Sequence, residues 1–135
     1  RGPRTRSSWR QSCAAGLASI REILERGLAE NARRVGAHLV TRLEGLRSLG
    51  IIGDIRGKGL MIGVEFAKDP ATKAQFAPGV NIGLRIGKRA MHNGLLLRFD
   101  PHWIAFGPPL IVTEQEIDTM VDILERSIRE VLREL

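Results

Sequence analysis

Residues 56–66 read RGKGLMIGVEF, and this stretch decides the fold. From residue 60 onward, apolar side chains occupy every second position, which is typical of a β-strand with one buried face. These apolar residues are Leu60, Ile62, Val64 and Phe66. The glycines just before them predict a tight turn, and residues 51–56 form a shorter strand candidate on its other side. The centre of the chain is therefore predicted to contain two strands joined by a tight turn.

Two helices are predicted ahead of these strands. The first starts at Cys13 and is interrupted by Gly27. The second starts near Leu28, with apolar residues at steps of three and four, and Gly50 stands where a C-terminal glycine cap would. Its predicted buried stripe is Ala32, Val35, Leu39, Leu43 and Leu46. The charged residues off that stripe are expected to face solvent; they are Arg33, Arg34, Arg42 and Glu44.

Beyond the central strands the pattern alternates again between helix and strand. Residues 68–80 contain two prolines and a glycine and predict a loop. A third helix is predicted from Ile82 and is closed by Asn93-Gly94. Strands are predicted at residues 95–99 and 103–106, and the short link between them favours antiparallel pairing.

The last helix carries the strongest local signals. Thr113 and Glu116 form a capping box, in which each side chain satisfies a free backbone N–H. The predicted buried stripe of this helix is Ile117, Met120, Leu124, Ile128, Val131 and Leu135. The order of elements, helix-helix-strand-strand-helix-strand-strand-helix, predicts an α+β fold. We expect a two-layer sandwich with a mainly antiparallel sheet covered by helices.

The charge of the chain is concentrated at one end. The 135 residues carry a formal net charge of +6, with 43% apolar and 27% charged residues, which suits a globular domain and excludes a collagen or disulfide scaffold. Residues 1–12 hold four arginines and no acid, and are expected to be a disordered basic leader outside a domain at residues 13–135. A nucleic-acid-binding arm is the less favoured alternative, because no RNA-binding motif accompanies the charge.

The single cysteine and the first residue also indicate where the protein is located in the cell and how the chain relates to a longer protein. Cys13 is the single cysteine, so no internal disulfide can form, and a reducing cytoplasm is the simplest location. We expect Cys13 to be a small buried residue. No apolar run approaches the ~18 residues that span a bilayer, so no membrane association is expected. The chain begins with Arg1 rather than Met, which favours a piece of a longer protein.

The spacings of the histidines and of the glycines do not indicate a metal or phosphate site. His38, His92 and His102 are widely separated, and no metal-ligand motif is present, so no metal is expected. The glycine-rich stretches match neither a dinucleotide fingerprint nor a P-loop. Asp54 and Glu65 are expected to lie on strands in different registers, which makes them weak candidates for a carboxylate pair.

Arg98 is the one cation with an unusual setting. It follows three leucines and precedes Phe99 at the end of a predicted strand. A guanidinium in such a place has a fixed fork that can bind a carboxylate through two contacts. The alternative is a strand-end ion pair with Asp100 or Glu65. On the residues alone, the ion pair is the favoured interpretation.

Four segments in the same order resemble the C-terminal small domain of class III aminotransferases. They are residues 56–66, 94–98 and 104–110, and the helix that begins at Thr113. This family contains pyridoxal-phosphate enzymes of fold type I, including omega-transaminases, and the resemblance covers residues 13–135. It implies an arginine at the position of Arg98 that binds the substrate carboxylate, which reverses the preference for an ion pair. Residues 99–103 are bulkier than the family's usual turn, which bears on how freely Arg98 moves.

The resemblance also implies what this chain leaves out. Family members hold pyridoxal phosphate mainly through a lysine on a large domain, and the motif of that lysine is matched by none of Lys58, Lys68, Lys73 and Lys88. We therefore expect no catalytic, cofactor-binding or metal-binding residue in this chain. The expected function is that of a C-terminal fragment, inactive by itself, of a homodimeric enzyme that transfers an amino group between an amine or amino acid and a 2-keto acid. The alternative is a non-catalytic stand-alone binding or dimerisation module of the same fold.

Overall fold

The computed structural model describes the backbone of residues 6–135 and the side chains of residues 9–135. Residues 1–5 lie outside the described part of the chain. The elements follow the predicted order: α1 (Arg6–Glu25), α2 (Leu28–Gly45), β1 (Ile52–Lys58), β2 (Met61–Phe66), α3 (Ile82–His92), β3 (Arg98–Asp100), β4 (Trp103–Phe106) and α4 (Glu114–Leu132). A 3₁₀ turn at Leu46–Leu49 extends α2, and Gly50 ends it in the left-handed conformation, as a C-terminal cap requires.

The four strands form one sheet in the order β1-β2-β4-β3, and each neighbouring pair is antiparallel. Two residues, Gly59 and Leu60, join β1 to β2, and Pro101 and His102 join β3 to β4. The second hairpin enters the sheet beside β2 through β4, so β2 and β4 occupy the centre. The predicted α+β architecture with an antiparallel sheet is confirmed.

The sheet has one face beneath the helices and one open face. The strand side chains under the helices are almost fully buried; in β2 and β4 they are Ile62, Val64, Phe66, Ile104 and Phe106. Helices α2 and α3 contact the sheet, and α4 packs against both of these helices. The intervening positions of β2 and β4 point to the opposite face, because side chains alternate along a strand. Within residues 6–135, no helix covers that open face.

Glycines bring the helices unusually close to the hairpin turns. A methyl group at Gly36 of α2 would meet the backbone carbonyl of Gly59, and one at Gly83 of α3 would meet that of Asp100. Farther along α3, a methyl group at Gly87 would meet the ring of Phe99. Each helix therefore approaches one hairpin at a point where no side chain fits between them.

Polar contacts join α2 to α4 at the protein surface. Asp118 of α4 accepts hydrogen bonds from His38 Nε2, at 2.7 Å, and from Arg42, which also reaches Asp122 at 2.7 Å. The hydrogen bond from His38, followed by that from Arg42, lowers the pKa of the Asp118 carboxyl below its ordinary value. Arg42 was expected to face solvent only, but α4 packs alongside α2 in the same direction and places two acids, Asp118 and Asp122, opposite it.

Two sequence-based expectations about the N-terminal region are wrong. Residues 6–12 were expected to be disordered, but they are helical and continuous with the helix predicted from Cys13. Arginine and glutamine favour helix, whereas the Gly2 and Pro3 that suggested disorder lie outside the described residues. Cys13 is exposed rather than buried, because the side chains of α1 are not packed into the core. A domain boundary at residue 13 remains a prediction.

Two further expectations are corrected at the C-terminal half. The strand predicted at residues 95–99 is shorter, because the Leu95 amide still donates to the Ala90 carbonyl of α3, at 2.8 Å. Leu135 was placed in the buried stripe of the last helix but is 57% exposed, since α4 ends at Leu132. The capping box of Thr113 and Glu116 is confirmed. Within residues 6–135, no helix combines the length and apolar character that crossing a membrane requires.

We predict that Gly36→Ala destabilises the fold, because its methyl group must displace either α2 or the β1–β2 turn. The expected loss is about 1–3 kcal/mol in the free energy of unfolding measured by urea titration. Gly45→Ala is the matched control, since Gly45 ends the same helix with open space around its Cα. Equal stability of the two variants would show that α2 does not approach the turn as described.

We also predict that the acid sensitivity of the protein depends on Asp118. Because the folded state lowers the pKa of this carboxyl, its contribution to stability is present above the ordinary aspartate pKa. That contribution is lost as the pH falls below about 4, through the folded value. Asp118→Asn should lower the free energy of unfolding at about pH 7. In this variant, the free energy of unfolding should also decrease less as the pH falls into the acid range.

The control for this measurement is Glu25→Gln, because Glu25 makes no ion pair among the described residues. Urea titrations across the acid range should give parallel curves for this variant and the unsubstituted chain. A parallel curve for Asp118→Asn as well would contradict the assignment.

Candidate functional site

Arg98 begins β3 at an edge of the sheet. Its backbone pairs with Ala105 of β4, and its side chain is exposed on the open face. Phe99, the next residue, points to the other face, where it packs against the core and closely approaches Gly87. The short β3 thus anchors the chain through Phe99 and leaves Arg98 directed away from the helices.

A row of four register partners crosses the open face at Arg98. Arg98 pairs with Ala105, Ala105 with Gly63, and Gly63 with Arg56. Four adjacent strands span roughly 14 Å, at about 4.8 Å per step. Two arginines therefore stand at the ends of the row. The two positions between them, Gly63 and Ala105, carry at most a methyl group on this face.

The arginine at the far end of this row is already occupied. Arg56 Nη1 lies 3.0 Å from Asp54 Oδ2, and its Nη2 lies 3.3 Å from Glu65 Oε2. The other oxygen of Glu65 accepts a hydrogen bond from Gln75 at 3.2 Å. The expectation that Asp54 and Glu65 lie in different registers is wrong, because a register shift between Ile52 and Asp54 makes the two acids direct partners. They form an ion-pair cluster with Arg56 rather than a pair of catalytic carboxylates.

Arg98, in contrast, forms no ion pair among the described residues. The strand-end ion pair with Asp100 or Glu65 is not formed. Instead the Arg98 Cζ lies over the indole ring of Trp103, 5.8 Å from its centroid. This distance is within the range of a cation–π interaction. The hydrogen-bond donors of this guanidinium have no carboxylate partner among the described residues.

A shallow cavity of about 890 Å³ lies beside Arg98. Its lining is mostly apolar, from Met61 and Leu96 on one side to Pro108 and Met120 on the other. The charged residues of the lining are Arg98 and Glu116. Glu116 is part of the capping box. One of its carboxylate oxygens accepts hydrogen bonds from the Thr113 backbone N–H at 2.8 Å and from the Thr113 hydroxyl at 2.9 Å. The cavity therefore combines a mostly apolar lining with one guanidinium that has no acidic partner among the described residues.

The remaining candidate residues do not form a site. His38 lies between α2 and α4 and contacts Asp118, while His92 and His102 are exposed. Within residues 6–135, no group of three or more His, Cys, Asp or Glu side chains could hold a metal ion.

Trp103 is the site residue that the sequence analysis did not single out. It stands five positions after Arg98, across a hairpin with a two-residue turn. Because Arg98 pairs with Ala105, two residues after Trp103, Arg98 and Trp103 are diagonal neighbours on the same face of the sheet. The spacing was therefore a usable signal, but it required the correct boundaries of β3 and β4.

The chain matches the family model described as "Aminotransferase class-III" over residues 10–128. Among curated proteins, it is 38% identical over 126 residues to an uncharacterized aminotransferase of Sinorhizobium fredii, covering 90% of this chain and 27% of that protein. It is 36% identical over 122 residues to a diaminobutyrate–2-oxoglutarate transaminase of Halomonas elongata, covering 88% of this chain and 26% of that protein. The chain thus spans about a quarter of the length of these relatives.

Solved structures that align with this chain include transaminases. A pyridoxamine-phosphate-bound aminotransferase from Vibrio fluvialis aligns with a TM-score of 0.85 and 34% identity, over 90% of this chain and 27% of that chain. An (S)-enantioselective omega-transaminase from Thermomicrobium roseum aligns with a TM-score of 0.83 and 32% identity, over 89% of this chain and 27% of that chain. Sequence and fold agree, and this chain belongs to the class III aminotransferase family.

Proposed function

We propose that this chain is the C-terminal part of a pyridoxal-phosphate-dependent class III aminotransferase and that Arg98 binds the carboxylate of its substrates. The proposal rests on the surroundings of Arg98. It is a strand-anchored arginine with no acidic partner among the described residues, at the edge of an apolar cavity. Its position also matches the family segment in which an arginine has this role.

The role of Arg98 follows from the shape of the guanidinium. Two parallel N–H donors can bind both oxygens of a carboxylate, which fixes the direction of the ligand as well as its position. Transamination requires amino acids and keto acids to be held in one pose while a proton moves at the alpha carbon. Arg98 would supply that pose, and the apolar lining of the cavity would contact the rest of the substrate.

The residues of this chain do not by themselves fit the cofactor. When bound, pyridoxal phosphate supplies the electron sink for the chemistry at the alpha carbon. A lysine that holds it must lie in an enclosed site, whereas all four lysines of this chain are exposed; they are Lys58, Lys68, Lys73 and Lys88. We therefore assign to this chain a part in substrate binding and no part in holding the cofactor.

The wider proposal concerns the complete enzyme. Its reaction would pass an amino group between an amine or amino acid and a 2-keto acid, and its functional form would be a homodimer, as the family relationship suggests. The name of the Halomonas elongata relative specifies 2-oxoglutarate for that protein, and a 2-keto acid of this kind is a reasonable acceptor here. A cytoplasmic location belongs to the same proposal. No observation favours the alternative of a non-catalytic binding or dimerisation module.

We predict that Arg98→Gln in the complete aminotransferase selectively impairs substrates that carry a carboxylate. For an amino-acid donor such as L-alanine, kcat/KM should fall about 10-fold or more, because a charged hydrogen-bonding partner contributes about 1.5–3 kcal/mol. For 1-phenylethylamine, which has no carboxylate, kcat/KM should change little. Steady-state kinetics with both donors measure this difference.

Arg98→Lys and Arg56→Gln serve as comparisons. The lysine keeps the charge but lacks the fork, so part of the discrimination should be lost. Arg56 lies at the other end of the same row but is held by two acids, so its substitution should leave the discrimination intact. Equal losses for both donors in Arg98→Gln would mean that Arg98 supports the fold rather than the carboxylate.

We further predict that this chain alone does not hold pyridoxal phosphate at a defined lysine, because its lysines are exposed. Incubation with the cofactor, reduction with borohydride and peptide mass mapping should show low, scattered labelling of the four lysines. Stoichiometric labelling of Lys58 or Lys88, together with turnover of an amino donor, would contradict this assignment.

A further inference from the structure

We propose that Trp103 is a positioning residue that orients the Arg98 guanidinium for carboxylate binding. This inference rests on the proposed role of Arg98. It goes beyond that role by naming the group that keeps the arginine in place when no substrate is bound.

The sheet brings the two side chains together. Arg98 pairs with Ala105, and Trp103 lies two residues before Ala105 on the same strand and the same face. Such diagonal neighbours on an antiparallel pair lie within reach of aromatic and long side chains. Here the Arg98 Cζ is 5.8 Å from the indole centroid.

Trp103 is itself held firmly. Its backbone pairs with Asp100 on one side and Glu65 on the other, so it lies between two neighbouring strands. Behind it, the helix glycine Gly83 approaches so closely that an added methyl group would meet the Trp103 backbone. The next residue, Ile104, is fully buried under the helices. The backbone that carries the indole is therefore held in place beside Arg98.

None of the acids considered as partners of Arg98 forms an ion pair with it. Both oxygens of Glu65 are occupied, by Arg56 and Gln75. Glu116 is tied to Thr113 in the capping box. Asp100, on the same strand, forms no ion pair with Arg98. The aromatic contact is thus the interaction that the described structure gives to this guanidinium.

An aromatic partner differs from an acidic one in what it leaves free. A carboxylate would occupy the in-plane N–H donors of the guanidinium, which are the donors a substrate needs. An aromatic ring has no such oxygens, so it does not take the paired N–H bonds that a carboxylate would form. It also limits the rotamers of a long side chain, so less conformational entropy is lost when the substrate binds. Trp103 would therefore orient Arg98 without competing with the substrate.

The first test uses the 135-residue chain without any ligand. In ¹H–¹⁵N spectra, the Arg98 Nε–Hε signal should shift downfield in Trp103→Ala, because shielding by the indole ring is lost, and its heteronuclear NOE should fall. Trp103→Phe should preserve most of both properties. Trp9→Phe is the matched control, since Trp9 lies on α1 and is 69% exposed; it should change neither.

The second test uses the complete aminotransferase. Trp103→Ala should raise KM for L-alanine about 2- to 5-fold, which is the effect of losing one exposed cation–π contact. The rise in KM should be larger for L-alanine than for 1-phenylethylamine, although Trp103 also lines the cavity that both donors would enter. Trp103→Phe should restore most of the affinity for L-alanine. A merely structural role would lower kcat for both donors and would move the unfolding temperature.

The outcomes separate this inference from the proposed function. If Arg98→Gln leaves the preference for carboxylate substrates intact, the role proposed for Arg98 is wrong. If Arg98→Gln abolishes that preference while Trp103→Ala changes neither the Arg98 Nε–Hε signal nor KM for L-alanine, the positioning role of Trp103 is wrong.

Discussion

The pairing of β2 with β4 at the centre of the sheet is the constraint on which the rest of the structure depends. Its register places Ile62 opposite Phe106 and Val64 opposite Ile104, so the apolar positions of both strands share one face beneath the helices. The alternation of side chains then directs Ala105 and Trp103 to the open face. A slip of one residue would exchange the two faces. The site around Arg98 therefore depends on the same register as the core.

Arg98 differs from most arginines of the described chain in having no acidic partner. Nine others form ion pairs within residues 6–135: Arg26, Arg33, Arg34, Arg42, Arg47, Arg56, Arg85, Arg89 and Arg129. Pairs of this kind at the surface contribute little to stability, typically 0–1 kcal/mol. One of them bears on Arg98: Glu65 is bound by Arg56 and Gln75, so it is not available to Arg98.

Elements with local signals could be predicted from the sequence. The α4 N-terminus was found because Thr113 and Glu116 satisfy each other's neighbouring backbone groups within one turn. Gly27 and Gly50 marked helix boundaries because each adopts a positive φ, of 58° and 77°. Arg98 was singled out through its leucine-rich context and the family resemblance, and its role in binding a carboxylate remains a prediction.

Features that depend on contacts distant in sequence could not be predicted in the same way. The pairing of Asp54 with Glu65 depends on an irregularity in β1 that shifts the register by one residue. The exposure of Cys13 depends on what α1 packs against, which its own periodicity does not reveal. The contact between Arg98 and Trp103 required the strand boundaries, because diagonal neighbours are defined only once the hairpin register is known.

We propose that the open face of this sheet presents Arg98 to a substrate carboxylate. The most direct test is a crystal structure of the complete aminotransferase with a bound amino-acid substrate or an unreactive analogue. We expect both carboxylate oxygens to lie about 2.7–2.9 Å from Arg98 guanidinium nitrogens, with the guanidinium still against the Trp103 indole. A carboxylate held by another residue, with Arg98 directed into solvent, would contradict the account.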